Sequence, residues 1–70
     1  MKNYKIYFER KGIDPVEFTI SGEGDKCRVK TIRIGKENHS FDFLGSEEIL
    51  LKAVSIKLEK YGVEKIEKIS

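Results

Sequence analysis

Along the first half of the chain, apolar and polar positions alternate with period two. Tyr4, Ile6 and Phe8 share one side of a strand, and Lys5, Tyr7 and Glu9 the other. Lys11-Gly12-Ile13-Asp14-Pro15 reads as a turn, because Pro15 fixes its own φ and biases Asp14 away from helix. A second strand follows, with Val16, Phe18 and Ile20 on one side and Glu17, Thr19 and Ser21 on the other. Ser21-Gly22-Glu23-Gly24-Asp25 is a loop by composition. The third strand runs from Lys26 to Ile34, and its alternation slips. Cys27 and Val29 fall on one parity, Ile32 and Ile34 on the other, so the pattern predicts a bulge near Lys30–Thr31. After a turn at Gly35–Asn38, His39–Leu44 reads as a fourth strand with Phe41 and Phe43 inward.

At Gly45-Ser46 the period changes to that of a helix. Ser46 is a good N-cap, Glu47 and Glu48 suit the positive end of the helix dipole, and Gly62 suits the C′ position. The prediction is a helix over residues 47–61. Val63, Ile66 and Ile69 then repeat every three residues, a spacing that fits neither strand nor helix; this segment is either a short fifth strand or a frayed extension. The expected fold is α+β: a four-stranded antiparallel meander followed by one amphipathic helix packed on one face, in a single domain of residues 1–70.

The helix carries more apolar surface than one sheet needs. At about 100° per residue, Leu50, Leu51, Val54, Leu58 and Tyr61 fill one sector, and Ile49, Ala53 and Ile56 fill a second. An ordinary surface helix needs one stripe of roughly 100° or a little more. Either the sheet or the C-terminal segment wraps the second stripe, or a second copy or another protein covers it.

Composition narrows the classes of function. The chain has 70 residues, 14 Lys+Arg and 12 Asp+Glu, one Cys and no Trp. Its length leaves little room for an enclosed substrate pocket, which disfavours an enzyme. Cys27 has no second cysteine to pair with. Cys27 and His39 together fall short of the about four ligands of a structural zinc site. No cofactor or metal is expected, and no apolar run reaches the roughly 20 residues that span a membrane. The N-terminus lacks the apolar stretch of a signal peptide, so the expected compartment is the reducing cytoplasm. Cys27 reads as a small core residue and His39 as a half-exposed strand-end residue. A Cys27–His39 nucleophile pair has no orienting third group, and Gly22-Glu23-Gly24 lacks the ending and the helix of a phosphate loop.

Charge is patterned although the net is only +2. Lys26, Arg28, Lys30, Arg33 and Lys36 fall in a stretch with no acid, beside an acidic one holding Glu9, Asp14, Glu17, Glu23 and Asp25. With Tyr7, these cations form a candidate nucleic-acid-binding face, since such a surface needs cations for phosphate and flat rings for stacking. The competing reading is a ladder of cross-strand pairs with Glu9, Glu17 and Asp42.

The layout of strands followed by a C-terminal helix is loosely similar to archaeal chromatin proteins of the SH3-like barrel type, without their exposed Trp and strong basic excess. The stretch from Phe18 to Gly62 also looks like small phage-encoded inhibitors, anti-CRISPR proteins among them. Both are likenesses of pattern and size and carry no residue-level motif. The expected function is that of a non-enzymatic regulatory or inhibitory module, of the kind mobile elements encode. It would bind a protein partner or its own copy through the helix edge Ile49, Ala53, Ile56 and Lys60, with nucleic-acid binding by the basic strand as the alternative.

Overall fold

A computed structural model describes residues 1–70. Strands β1 (Lys2–Phe8) and β2 (Val16–Ser21) form the expected antiparallel hairpin, with Tyr4 opposite Phe18 and Ile6 opposite Val16. Period-two alternation sends Tyr4, Ile6, Phe18 and Ile20 into the core, and the rings of Tyr4 and Phe18 stack at 5.3 Å. β3 is only Arg28–Val29, paired with β2. β4 (Ile32–Ile34) and β5 (Glu37–His39) form a separate small hairpin. Helix α1 covers Glu47–Lys57, and after a 3₁₀ turn at Glu59–Tyr61 the chain ends in β6 (Val63–Lys68). The fold is α+β, with a main antiparallel sheet in the order β3-β2-β1-β6, one helix, and no closed barrel.

Three local expectations are corrected. The predicted third strand is two strands in different sheets. Lys30 still donates to the Thr19 carbonyl, and then the chain leaves β2 and enters the hairpin at Ile32. That departure, rather than a bulge, absorbs the parity slip, and Cys27, Val29, Ile32 and Ile34 are all buried. The second correction concerns His39–Leu44. Only His39 lies in a strand; beyond it Gly45 exchanges two backbone bonds with Cys27. With no ladder to impose the pleat, Phe41 is buried while Phe43 is exposed. His39 is buried rather than half-exposed. Third, the regular helix ends at Lys57, and the last expected turn is the tighter 3₁₀ form.

The C-terminal segment is a full strand. β6 runs antiparallel to β1, so the fourth strand of the main sheet is the last one in the chain. Its three-residue repeat has a geometric cause. Phe8 stands opposite Val63 but Tyr7 opposite Lys65, so Glu64 is an extra residue and Val63 and Ile66 return to one face. The bulge expected near Lys30–Thr31 is absent, and β6 holds one that the sequence reading did not place.

The helix begins as its sequence dictates, with the Ser46 hydroxyl accepting from the Ile49 N–H at 3.3 Å. Glu47 is further held by Lys2 and by the Tyr4 hydroxyl, which ties the start of α1 to β1. Leu50, Val54 and Leu58 are completely buried against the sheet. Gly62, at φ +73°, reverses the chain into β6, a conformation that L side chains rarely adopt.

Candidate functional site

Of the first helical sector, Leu50, Val54 and Leu58 are consumed by the core while Leu51 and Tyr61 stay half-buried; the second sector is left largely outside. Ile49 is 56% exposed and Ile56 72%, with Ala53 half-buried between them. Ile49 and Ile56 are two turns apart on one side of the helix, and neither is wrapped by the sheet. Phe43 and Leu44, exposed just before the N-cap, extend the apolar surface at the start of the helix. Lys60 belongs to this edge by sequence, but its ammonium pairs with Glu37 at 3.1 Å and pins the 3₁₀ turn to β5.

Beside Ile56 lies a groove of about 600 Å³ between α1 and β6. Leu51, Ile56, Val63 and Ile66 form its apolar lining, and Glu48, Lys52, Glu64 and Lys65 are its charged borders. Along it β6 is only partly covered: Val63 and Ile66 are half-buried at the margin of the core. β6 is also an edge strand with no neighbour on its outer side. By sequence Leu51 belongs to the core-facing sector of the helix, and Val63 and Ile66 to a repeat without an assigned partner; none of the three is expected at a site. The odd three-residue repeat after Gly62 was the available signal, and it resolves only once the bulge at Glu64 is known.

The basic residues are exposed as expected, but they do not form one surface with Tyr7. Lys26, Arg28, Lys30, Arg33 and Lys36 are all exposed, and none makes an ion pair. The expected ladder with Glu9, Glu17 and Asp42 is thus not formed. Arg33 Nε donates to the Gly35 carbonyl at 3.1 Å, within its own hairpin. Arg28 stands opposite Ser21, level with the start of β1, whereas Tyr7 is at the far end of β1 and more than about 15 Å away along the strand. On the open face Lys65 Nζ lies 4.8 Å and Lys5 Nζ 5.5 Å from the Tyr7 ring centroid, and the Tyr7 hydroxyl donates to Glu67 Oε1 at 3.4 Å.

One polar chain is partly buried. His39 Nε2 lies 3.0 Å from the Tyr61 hydroxyl, which donates to Glu37 Oε1 at 3.0 Å, and Lys60 holds the other carboxylate oxygen. The hydrogen bond from Lys60, and after it the one from Tyr61, hold the Glu37 carboxyl below its ordinary value of 4.5. The same contact with Glu37 raises Lys60 above 10.5. Partial desolvation of the phenol, then its bond to Glu37, raises Tyr61 above 10.0. This chain joins β5 to the 3₁₀ turn. Cys27 is elsewhere, its thiol donating to the Gly24 carbonyl at 3.4 Å, so the two residues of the conceivable nucleophile pair have separate partners. Comparison with family models, curated proteins and solved structures returns no match.

Proposed function

We propose that the chain is a protein-interaction module whose contact surface is the outer side of α1 together with the groove between α1 and β6. The single observation that carries this is the exposure of Ile49 and Ile56 on a well-capped helix, next to an apolar groove and an open strand edge. Removing the exposed parts of two isoleucines from water contributes about 2 kcal/mol or more on binding. Ala53, between them, lets a partner approach the helix backbone closely. Cys27 and His39 have internal partners, which supports action by occupancy rather than by chemistry. The concrete form of this reading is a small regulatory or inhibitory module.

The test is capture of partners from lysate by the tagged protein after nuclease treatment, compared with an Ile49→Asp, Ile56→Asp variant. Both positions are exposed, so the variant should keep its cooperative melt, losing about 1 kcal/mol or less per site. The expected result is a protein partner that is retained by the wild type and lost by the folded variant. Unfolding of the variant, or retention of the same partner, would overturn the reading.

One observation favours a second reading. Five cations between Lys26 and Lys36 have no carboxylate partner, which leaves them available to a polyanion such as nucleic acid. Binding of this kind weakens steeply with salt. It should vanish on replacing Arg28, Lys30 and Arg33 with Ala, and absence of binding by the wild type at low salt would dismiss it.

A further inference from the structure

The free edge of β6 carries a sequence that is complementary to itself. The strand reads Val63-Glu64-Lys65-Ile66-Glu67-Lys68. We infer that this edge pairs, antiparallel and centred on Ile66, with the β6 edge of a second copy of the chain. The inference names the partner of the surface proposed above and rests on that reading.

Backbone direction comes first. The Ile69 N–H donates to the Asn3 carbonyl at 2.8 Å, and Ile6 stands opposite Ile66. Antiparallel ladders alternate between hydrogen-bonded and non-hydrogen-bonded pairs. Counting back from Ile69, Lys68 and Ile66 therefore turn their N–H and C=O groups away from β1, toward the open side. Two copies meeting at Ile66 can exchange these bonds and join their sheets into one.

Charge then selects the register. Centred on Ile66, the pairing puts Lys65 opposite Glu67 and Glu64 opposite Lys68, each twice by the two-fold symmetry. Every charge on the strand meets its opposite, and Ile66 meets Ile66. Sliding by one residue sets Glu64 against Glu67 or Lys65 against Lys68. Sliding by two sets Lys65 or Glu67 against itself. Like charges directly opposite are destabilising. Charged residues on an edge strand normally discourage pairing; here the same charges leave one register open.

Packing agrees with it. In this register both helices lie on the same side of the joined sheet. The apolar linings formed by Leu51, Ile56, Val63 and Ile66 then face each other across the two-fold axis. A chain with so small a core gains stability from such association.

The experiment is sedimentation equilibrium over a concentration series, on the wild type and on Lys65→Glu and Glu67→Lys. Both side chains are exposed on the open face, in the regular ladder beyond the bulge, so a melt should show both variants folded. The wild type is expected to form a reversible dimer. Each single change turns two opposite pairs into two like pairs and should weaken the dimer about tenfold or more. An equimolar mixture of the two variants restores both opposite pairs and should dimerise like the wild type, as should the doubly swapped chain. A wild type that stays monomeric to about 1 mM, or single variants that dimerise unchanged, or a mixture no tighter than its components, would each overturn the inference. If the wild type is monomeric yet still captures an Ile49- and Ile56-dependent partner, self-pairing falls and the interaction surface stands. If the swaps behave as expected while the Ile49→Asp, Ile56→Asp chain captures everything the wild type does, the surface reading fails and the edge pairing stands.

Discussion

A methyl group at Gly22 would have nowhere to go. Its φ is +97°, and a Cβ built there collides with the Lys26 carbonyl oxygen and lies 3.0 Å from Cys27 Cα. Both obstacles are backbone, so neither can swing aside. Gly22→Ala should therefore cost about 2 kcal/mol or more, measured by urea unfolding. Gly24→Ala is the matched control: its φ is also positive, at +59°, but nothing lies within 4 Å of its Cβ, so it should cost about 1 kcal/mol. Equal losses at the two sites would show that the packing of this loop on Lys26 is not as described. The loop matters because it delivers Cys27 to its backbone exchange with Gly45, which in turn sets the start of α1. At this scale the core was well read from sequence. Tyr4, Ile6, Phe18, Ile20, Leu50, Val54 and Leu58 are buried as their periodicity required. Phe43 was misplaced because alternation was extended into a segment that has no strand partner.

At the scale of elements, the ends of the secondary structure are fixed by contacts that distant residues supply. Residues 58–61 have helical composition, yet Tyr61 is drawn to His39 and Glu37, and the chain tightens into a 3₁₀ turn to reach them. The split of the third strand has the same origin, since Val29 answers to β2 and Ile32 to His39. Neither is visible in local sequence, because both depend on which segment lies opposite. The bulge on β6 is a further case: the three-residue spacing of Val63 and Ile66 recorded it, but its meaning required the register against β1. The Glu37–Lys60–Tyr61 contact makes a prediction with a definite sign. Glu37 has a lowered pKa in the fold, so its charged form is the stabilising one. Its contribution is complete above pH 4.5 and is lost as pH falls through the lowered value. Lys60, raised above 10.5, contributes in full below 10.5 and loses the contribution as pH rises through the raised value. Unfolding of the wild type and Glu37→Gln from roughly pH 2 to 6 should therefore show a stability difference that shrinks toward acid. A difference independent of pH would remove the pair from the account.

For the molecule as a whole, 13 of 70 residues are buried, a core so thin that an added interface would contribute appreciably to stability. The α+β class and the over-wide apolar helix were legible from periodicity alone, and the structure confirms that the second stripe is not wrapped by the sheet. The order β3-β2-β1-β6 was not legible, because nothing local says that the last strand returns beside the first. That order creates the open edge and the groove, and so completes a surface of which the sequence showed only the helical part. The central claim is that two copies of the chain meet through the β6 edge and the side of α1 that flanks it. Isoleucine methyl spectra recorded over a concentration series test it most directly, since isoleucines lie on β1, β2, β4, α1 and β6. The prediction is that Ile56 and Ile66 shift with concentration while Ile6, Ile20 and Ile32, buried in the core, do not. Shifts confined to Ile13 and Ile34, which belong to neither α1 nor β6, or spectra unchanged up to about 1 mM, would contradict it.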